Sequence, residues 1–330
     1  MLRDVQPGIA VVTRKTRLQG VLARWATRGQ ARFMLAQAAV HERVRQGRRA
    51  TPAVLSAADE QFAGLEDEDA AYQRALARLQ KDLDFGLPIQ FLDREYLPNF
   101  DFGRCQVVVV VGQDGLVANT AKYVGGLPIV AVNPDPRRID GILLPFRLSQ
   151  ARQAVGDVLN HRYRVREVTL AVAHLADGQR LLAFNDFFVG CSSHVSARYE
   201  LRVGQRAEAQ SSSGIIVSTG AGSTGWFSSI FNMACGIAGW LGGAASKPTP
   251  QRWEERALLW AVREPFISRS SGAECIVGRL NEGEELVVES HMPSGGVIFS
   301  DGVESDFLEF NAGTIARIQV AEQRAQLVWA

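Results

Sequence analysis

Three short segments combine residue types and spacings that could do chemistry. The first is Val111-Gly112-Gln113-Asp114-Gly115. Glycines between a strand and a helix let the backbone approach a ligand closely and aim N–H groups at an anion. A carboxylate there would be repelled by phosphate unless it held a metal ion or accepted a proton from a nucleophile. Phosphoryl transfer uses an acidic residue in both ways. The plainer alternative is an Asp-Gly turn with a solvated side chain, and the segment alone leaves both open. It is neither a Walker A loop nor a G-x-G-x-x-G dinucleotide fingerprint, which argues against a hydride-transferring Rossmann enzyme.

The second segment is the pair Asn185-Asp186 at the end of an apolar run. A carboxamide beside a carboxylate suits ribose hydroxyls, and it equally suits a polar strand end. The third runs from Ser211 to Trp226 and includes Ser218, Thr219, Gly220, Gly222, Ser223 and Thr224. A strand enters a loop of small hydroxyl and glycine residues and a helix follows, a composition that fits a phosphate or a ribosyl group. Ser223 or Thr224 is placed to cap that helix. Trp226 could stack on a base or pack in the core.

These segments need elements to position them. Gln106–Val111 is a continuous β-branched run too short for a helix, which reads as a strand buried on both faces of a parallel sheet. A helix is expected over Leu116–Val124, then a second buried strand over Leu127–Val132, which makes a βαβ unit. Upstream, the pattern predicts one helix over Gln19–Arg49 and another over Asp67–Asp84, with Glu66–Asp69 as its acidic start. A further helix is expected over Ser149–His161. Beyond it the chain reads as mostly strand: Arg166–His174 and Arg180–Gly190 around the hairpin signal Asp177-Gly178, then Arg198–Val203, Gly214–Ser218, Cys275–Leu280 and Glu285–Ser290. One helical interlude spans Ser223–Gly239. The expected organisation is an α/β domain with a helical N-terminal extension over 1–148, a β-rich domain over 149–300, and a C-terminal segment, 301–330, that could return to the first domain.

Composition narrows the class. The 330 residues are 46% hydrophobic and 22% charged with a net charge of +1, so neither nucleic acid nor a membrane surface is an expected partner. No apolar run is long enough to span a bilayer. Residues Met1–Gln19 lack a signal-peptide core and are expected to be the start of the fold. The scattered cysteines Cys105, Cys191, Cys235 and Cys275 form no metal-binding pair. Free thiols in a reducing cytoplasm and no protein-bound structural metal are therefore expected.

Taken in order, the three segments resemble the NAD kinases. That family carries Gly-Gly-Asp-Gly-Thr, then Asn-Glu, then a segment like Ser-Thr-x-x-Gly-Ser-Thr-Ala-Tyr. Leu127–Pro136, with Asn133-Pro134-Asp135-Pro136, and Phe299-Ser300-Asp301-Gly302 resemble further family segments. The Asn-x-Asp-Pro run, the Ser-Ser-Gly before the third motif and Trp226 in place of Tyr are most similar to the mitochondrial-type branch. The likeness covers Cys105–Gly302. Gln113, Leu116, Asp186 and Gly225 depart from the family's Gly, Thr, Glu and Ala.

The resemblance implies an NAD kinase/diacylglycerol kinase-like α/β domain with a parallel sheet, plus a β-rich C-terminal sandwich. It implies ATP with Mg²⁺ as donor, small-molecule nucleotide substrates, and phosphorylation of the 2′-hydroxyl of the adenosine ribose of NAD. On it, Asp114 is catalytic, Gly112, Gln113, Gly115, Ser218, Thr219, Gly220, Gly222, Ser223 and Thr224 bind nucleotide phosphates, and Asn185, Asp186 and Trp226 bind the acceptor. A homodimer is the implied assembly. A kinase of the same fold acting on a sugar or nucleoside hydroxyl, and a nucleotide-binding protein without catalysis, are the alternatives. Lys122, Arg137 and Arg138 are basic groups near these loops: one of them could contact phosphate, and a solvated surface position is the plainer reading.

Overall fold

The computed structural model describes residues 8–47, 49 and 51–329. Its contacts divide the chain into two compact units, one gathering 8–116 and Val130–Arg162, the other Val117–Ile129 and Tyr163–Trp329. The fold is mixed α/β, with a parallel-containing sheet and a separate antiparallel sheet.

The first unit contains β1 (Gly8–Thr13), α1 (Arg17–Trp25), α2 (Arg28–Arg45), α3 (Pro52–Asp82), β2 (Ile89–Asp93) and β3 (Cys105–Val111). It also holds the start of α4 (Asp114–Ala121), most of β4 (Pro128–Asn133), β5 (Phe146–Arg147) and α5 (Ala151–Leu159). The strands lie in the order β5-β4-β3-β1-β2. β1 runs parallel to both β2 and β3, and β5 runs parallel to β4. Val107–Val111 are fully buried, as a continuous valine run in a two-sided sheet requires. β1 has no counterpart in the sequence reading, yet it lies between β2 and β3.

The helical region differs from expectation in two places. The single helix over Gln19–Arg49 is two helices, because Ala26 takes a positive φ and Thr27 caps α2 by accepting the Gln30 N–H. α3 begins at Pro52 instead of near Asp67 and runs for 31 residues. Thr51-Pro52 therefore starts a helix, as proline at a first turn can. The acidic run is a mid-helix docking strip: Glu68 pairs with Arg14 and Arg17, Asp69 accepts the Thr16 hydroxyl, and Glu66 meets Arg28. Leu18, Ala31, Phe62 and Leu65 pack the three helices together.

The second unit continues with β6 (Arg164–Leu175), β7 (Arg180–Ala183), β8 (Asp186–Cys191), β9 (Ala197–Val203), β10 (Arg206–Ser212), β11 (Ile215–Ser218), α6 (Trp226–Trp240), β12 (Ala257–Val262), β13 (Val277–Asn281), β14 (Glu285–Ser290), β15 (Gly296–Ser300), β16 (Val303–Glu309) and β17 (Ile315–Trp329). One antiparallel sheet has the order β13-β12-β11-β8-β15-β16. It faces a second layer in which β17 pairs with β6 and β14, and β9 with β10 and β14. The core between the layers takes Phe187, Val217, Trp260 and Ile298 from the first and Ala171, Leu201, Leu286 and Ile318 from the second. Strand β9 shows the alternation behind this: Ala197, Tyr199 and Leu201 are buried, with Arg198 exposed and Glu200 half-buried between them.

The expected hairpin forms between β6 and β7, with Gly178 at a positive φ of 90° in its turn. The strand expected over Arg180–Gly190 breaks at Phe184-Asn185. β7 stays beside β6, while β8 joins the six-stranded sheet. Among the described residues, no helix is long and apolar enough to cross a membrane.

Candidate active site

In the first unit, β3 delivers Val111 to the carboxylate loop. The Tyr72 hydroxyl donates to the Val111 carbonyl at 2.8 Å, and the Gly112 N–H points back to the Val132 carbonyl at 3.4 Å. Gly112 is required by packing: a Cβ there would lie 2.8 Å from Leu116 Cδ2. Leu116 is thus turned inward, 3% exposed, and fills the space over Gly112. Gln113 and Gly115 are exposed, and Asp114 is half-buried at the first position of α4. Asp114 Oδ1 accepts the Leu143 N–H at 2.7 Å. Among the described residues, no basic side chain pairs with this carboxylate.

The second unit builds a different cluster around the strand break. Asp301, at a positive φ of 56°, has a buried side chain that accepts three backbone N–H groups: Asn185 at 2.6 Å, Asp186 at 3.4 Å and Phe184 at 3.1 Å. Its own N–H donates to the Asp186 carbonyl at 3.0 Å. One side chain therefore holds the turn at which the chain passes from one sheet to the other. Lys122 is buried with it. Its ammonium donates to Ser300 Oγ at 2.8 Å and lies 3.9 Å from Asp301 and 3.5 Å from Asp306. The expected solvated Lys122 is instead the counter-charge of a buried acid, since an isolated ion there would cost several kcal/mol. Tyr123 donates to the same Asp306 carboxylate.

Asp186 is buried, and its carboxyl is pushed up to about 7, first by burial and then by the charge of Asp301. Burial raises Asp301 too, but Lys122 and the three N–H donors oppose that rise at Asp301 alone. Of the two acids, Asp186 is therefore the one that holds a proton, and Asp301 the one that carries the charge.

The hydroxyl-rich loop turns several of its polar groups inward. Thr219 Oγ1 donates to the Phe184 carbonyl at 2.6 Å, and its N–H donates to the Asn185 carbonyl at 2.9 Å. Ser218 Oγ donates to the Thr219 carbonyl at 3.1 Å, and Ser223 Oγ donates to the Gly220 carbonyl at 2.7 Å while accepting the Gln251 N–H. Gly222 packs so closely that a Cβ would lie 2.1 Å from the Asn185 carbonyl oxygen. Ser218, Thr219 and Gly222 thus clamp Asn185 from one side while Asp301 holds it from the other. Thr224 lies exposed at the end of a 3₁₀ turn over Gly222–Thr224. Neither Ser223 nor Thr224 caps α6: the helix starts at Trp226 behind Gly225, with no side-chain cap.

Trp226 stacks on Phe188 with ring centroids 5.7 Å apart and planes 7° from parallel, and the Arg263 guanidinium lies 5.3 Å from its ring. Phe188, Trp226, Phe299 and Arg263 line a cavity of about 690 Å³. That is room for a small organic ligand. Asp301 and Lys122 were not among the site residues read from sequence. The Phe299–Gly302 resemblance was the one signal for Asp301, and for Lys122 it was a lone cation among small and apolar residues.

No family model matches the chain, and no curated protein matches it. Among solved structures, the crystal structure of yeast NADH kinase complexed with NADH is similar over 99% of this chain and 84% of that one, with a TM-score of 0.56 at 14% identity. The chain has an NAD kinase-like fold.

Proposed function

We propose that the chain is an ATP-dependent kinase that phosphorylates the 2′-hydroxyl of the adenosine ribose of NAD, giving NADP. The observation that carries this reading is Asp114. It is a carboxylate free of basic partners among the described residues, fixed by the Leu143 N–H at the first turn of a helix that follows a buried parallel strand, in an NAD kinase-like fold. A carboxylate so oriented can align an acceptor hydroxyl and take its proton, while the exposed turn at Gly115 offers N–H groups to phosphate.

Loose phosphoryl transfer needs charge neutralisation more than strong base chemistry. Mg²⁺ prefers one or two carboxylates plus phosphate oxygens and water. Mg²⁺ would arrive on the donor's phosphates, leaving the Asp114 carboxylate to the acceptor hydroxyl. The part of Mg²⁺ is to offset phosphate charge. Asn185 and Asp186 are assigned to the acceptor's hydroxyls, with the proton on Asp186 making it a donor. Trp226 is assigned to the adenine or an equivalent ring. Ser218, Thr219 and Ser223 shape the loop through their inward hydrogen bonds, which leaves Thr224 as its exposed hydroxyl.

A second reading is a kinase acting on a different small-molecule hydroxyl. It is favoured by the exposed Gln113 and the inward Leu116, where the family carries glycine and threonine. Asp114→Asn tests the shared chemistry: it should abolish transfer while nucleotide binding stays nearly intact. Near-normal turnover in that variant would remove Asp114 from the mechanism.

A further inference from the structure

Beside the carboxylate loop the first unit holds a cavity of about 310 Å³ whose walls include Arg14, Arg17, Arg138 and Gln113, with Glu68 and Asp135 between the cations. A shallower recess joins it through Ala71 and Arg138 and adds Arg74 and Arg137. The carboxylates are outnumbered. Glu68 binds Arg14 at 3.0 Å and Arg17 at 2.6 Å, and Asp135 lies 3.7 Å from Arg137 and 3.5 Å from Arg138. Each acid lies beside two guanidinium groups, that of Arg137 being largely exposed, and leaves one positive charge in excess. Among the described residues, no carboxylate pairs with Arg74.

The site is built, and Arg14 shows how. Its backbone N–H donates to the Tyr72 hydroxyl at 3.1 Å, and its guanidinium lies 5.1 Å from the Tyr72 ring. Its stem runs along the carboxylate loop, with Cδ 3.8 Å from where a Cβ on Gly112 would stand. Its Nε is buried and has no hydrogen-bond partner among the described residues. A buried guanidinium N–H left open beside a cavity is a costly arrangement that an anionic oxygen would satisfy. The Asp135 side is equally ordered. Asn133 Oδ1 accepts the Asp135 N–H at 3.0 Å, and the Arg138 and Ile139 N–H groups close a turn on the Asp135 carbonyl. Burial on its own would lift the Glu68 carboxyl, but the guanidinium groups of Arg17 and Arg14 hold it below its usual range, so it stays ionised.

We infer that this cavity binds the polyphosphate chain of the phosphoryl donor, with Arg14, Arg17 and Arg138 as its cationic walls. Several guanidinium groups spaced by fixed carboxylates match a chain of phosphates better than a single carboxylate or sulfate, and the recess at Arg74 and Arg137 continues the same surface. The assignment to the donor rests on the kinase reading. The binding of a phosphate chain does not.

The test is calorimetric titration of the 330-residue chain with inorganic tripolyphosphate and, separately, with ATP. The two probes distinguish a bare phosphate chain from a nucleotide. Arg17→Gln and Arg138→Gln, both on exposed side chains, should each weaken binding of both probes by about tenfold. Arg162→Gln, an exposed arginine outside the cavity, should leave binding unchanged. Equal losses in all three variants, or no loss in the first two, would overturn the site. ATP binding that depends on the two arginines without any tripolyphosphate binding would also overturn it, since the phosphates would then not be what is recognised. Arginine-dependent binding with no turnover on any acceptor contradicts the kinase reading and leaves the site standing. Turnover with arginine-independent binding does the reverse.

Discussion

Asp301 and Asn185 lie 116 residues apart in sequence, yet the Asn185 N–H donates to Asp301 Oδ1 at 2.6 Å. That contact sits where the chain leaves β7 and enters β8 in the other sheet. It fixes the direction in which Asn185 and Asp186 present their side chains. Removing the charge should therefore affect both stability and the presentation of Asn185 and Asp186. Asp301→Asn keeps one acceptor oxygen and tolerates a positive φ, but it leaves the buried Lys122 with only the half-buried Asp306 as counter-charge. A loss of about 2–4 kcal/mol is expected in urea unfolding. Asp301→Asn with unchanged stability would show that the three N–H bonds do not hold the strand break.

Asp186 gives a pH dependence whose sign can be worked out. Its folded value, about 7, lies above the ordinary value of 3.8. Below about pH 4 both states are protonated, so the group contributes nothing. Between about pH 4 and 7 the folded state keeps a proton that the unfolded state releases, so stability falls as pH rises through that window. The full penalty, on the order of 4 kcal/mol at most, is present above pH 7. Asp186→Asn should flatten the thermal-melting profile between pH 5 and pH 8 and gain most at the alkaline end. A wild-type profile already flat across that range would contradict the buried proton.

Leu116 and Gln113, the two departures in the carboxylate loop, should behave differently. Leu116 is buried against Gly112, so Leu116→Thr removes packing and buries a hydroxyl, at a cost of about 1–3 kcal/mol. Gln113 is exposed, and Gln113→Gly should change stability by only about 0.5 kcal/mol while raising transfer to NAD. Chemical denaturation and an NADP assay on each variant separate the two effects.

Gly222→Ala should be severe. Its Cβ would meet the Asn185 carbonyl oxygen at 2.1 Å, and that oxygen belongs to backbone held on both sides. A loss above about 3 kcal/mol, or failure to fold, is expected. Trp226→Phe should keep the stack on Phe188 and most stability, whereas Trp226→Ala should lose about 1–3 kcal/mol and raise the acceptor KM more than it lowers kcat. An unchanged KM in Trp226→Ala would take the ring out of acceptor recognition.

What could be read from the sequence was what is local. The valine run of β3, the glycine-bearing loop after it, the turn at Asp177-Gly178 and the helix after Gly225 all follow from neighbours within a few positions. The acidic run Glu66–Asp69 was misplaced because its partners, Arg14, Thr16, Arg17 and Arg28, lie far back in the chain. The strand break at Phe184-Asn185 was missed although the polar pair Asn185-Asp186 interrupts the apolar stretch there, because the contacts that enforce it come from Asp301 and Thr219, in loops distant in sequence. Lys122 resembled any helix-end cation until Ser300 and Asp301 were found beside it. The loop motifs identified candidate residues, while their hydrogen bonds showed that Ser218, Thr219 and Ser223 face inward.

The most direct measurement is phosphoryl transfer by the purified chain with MgATP against a panel of NAD, NADH, sugars and nucleosides. The expected result is NADP formed from NAD, abolished by Asp114→Asn. No NADP from NAD while a sugar or nucleoside is phosphorylated would overturn the acceptor, and no transfer to any acceptor would contradict the kinase itself.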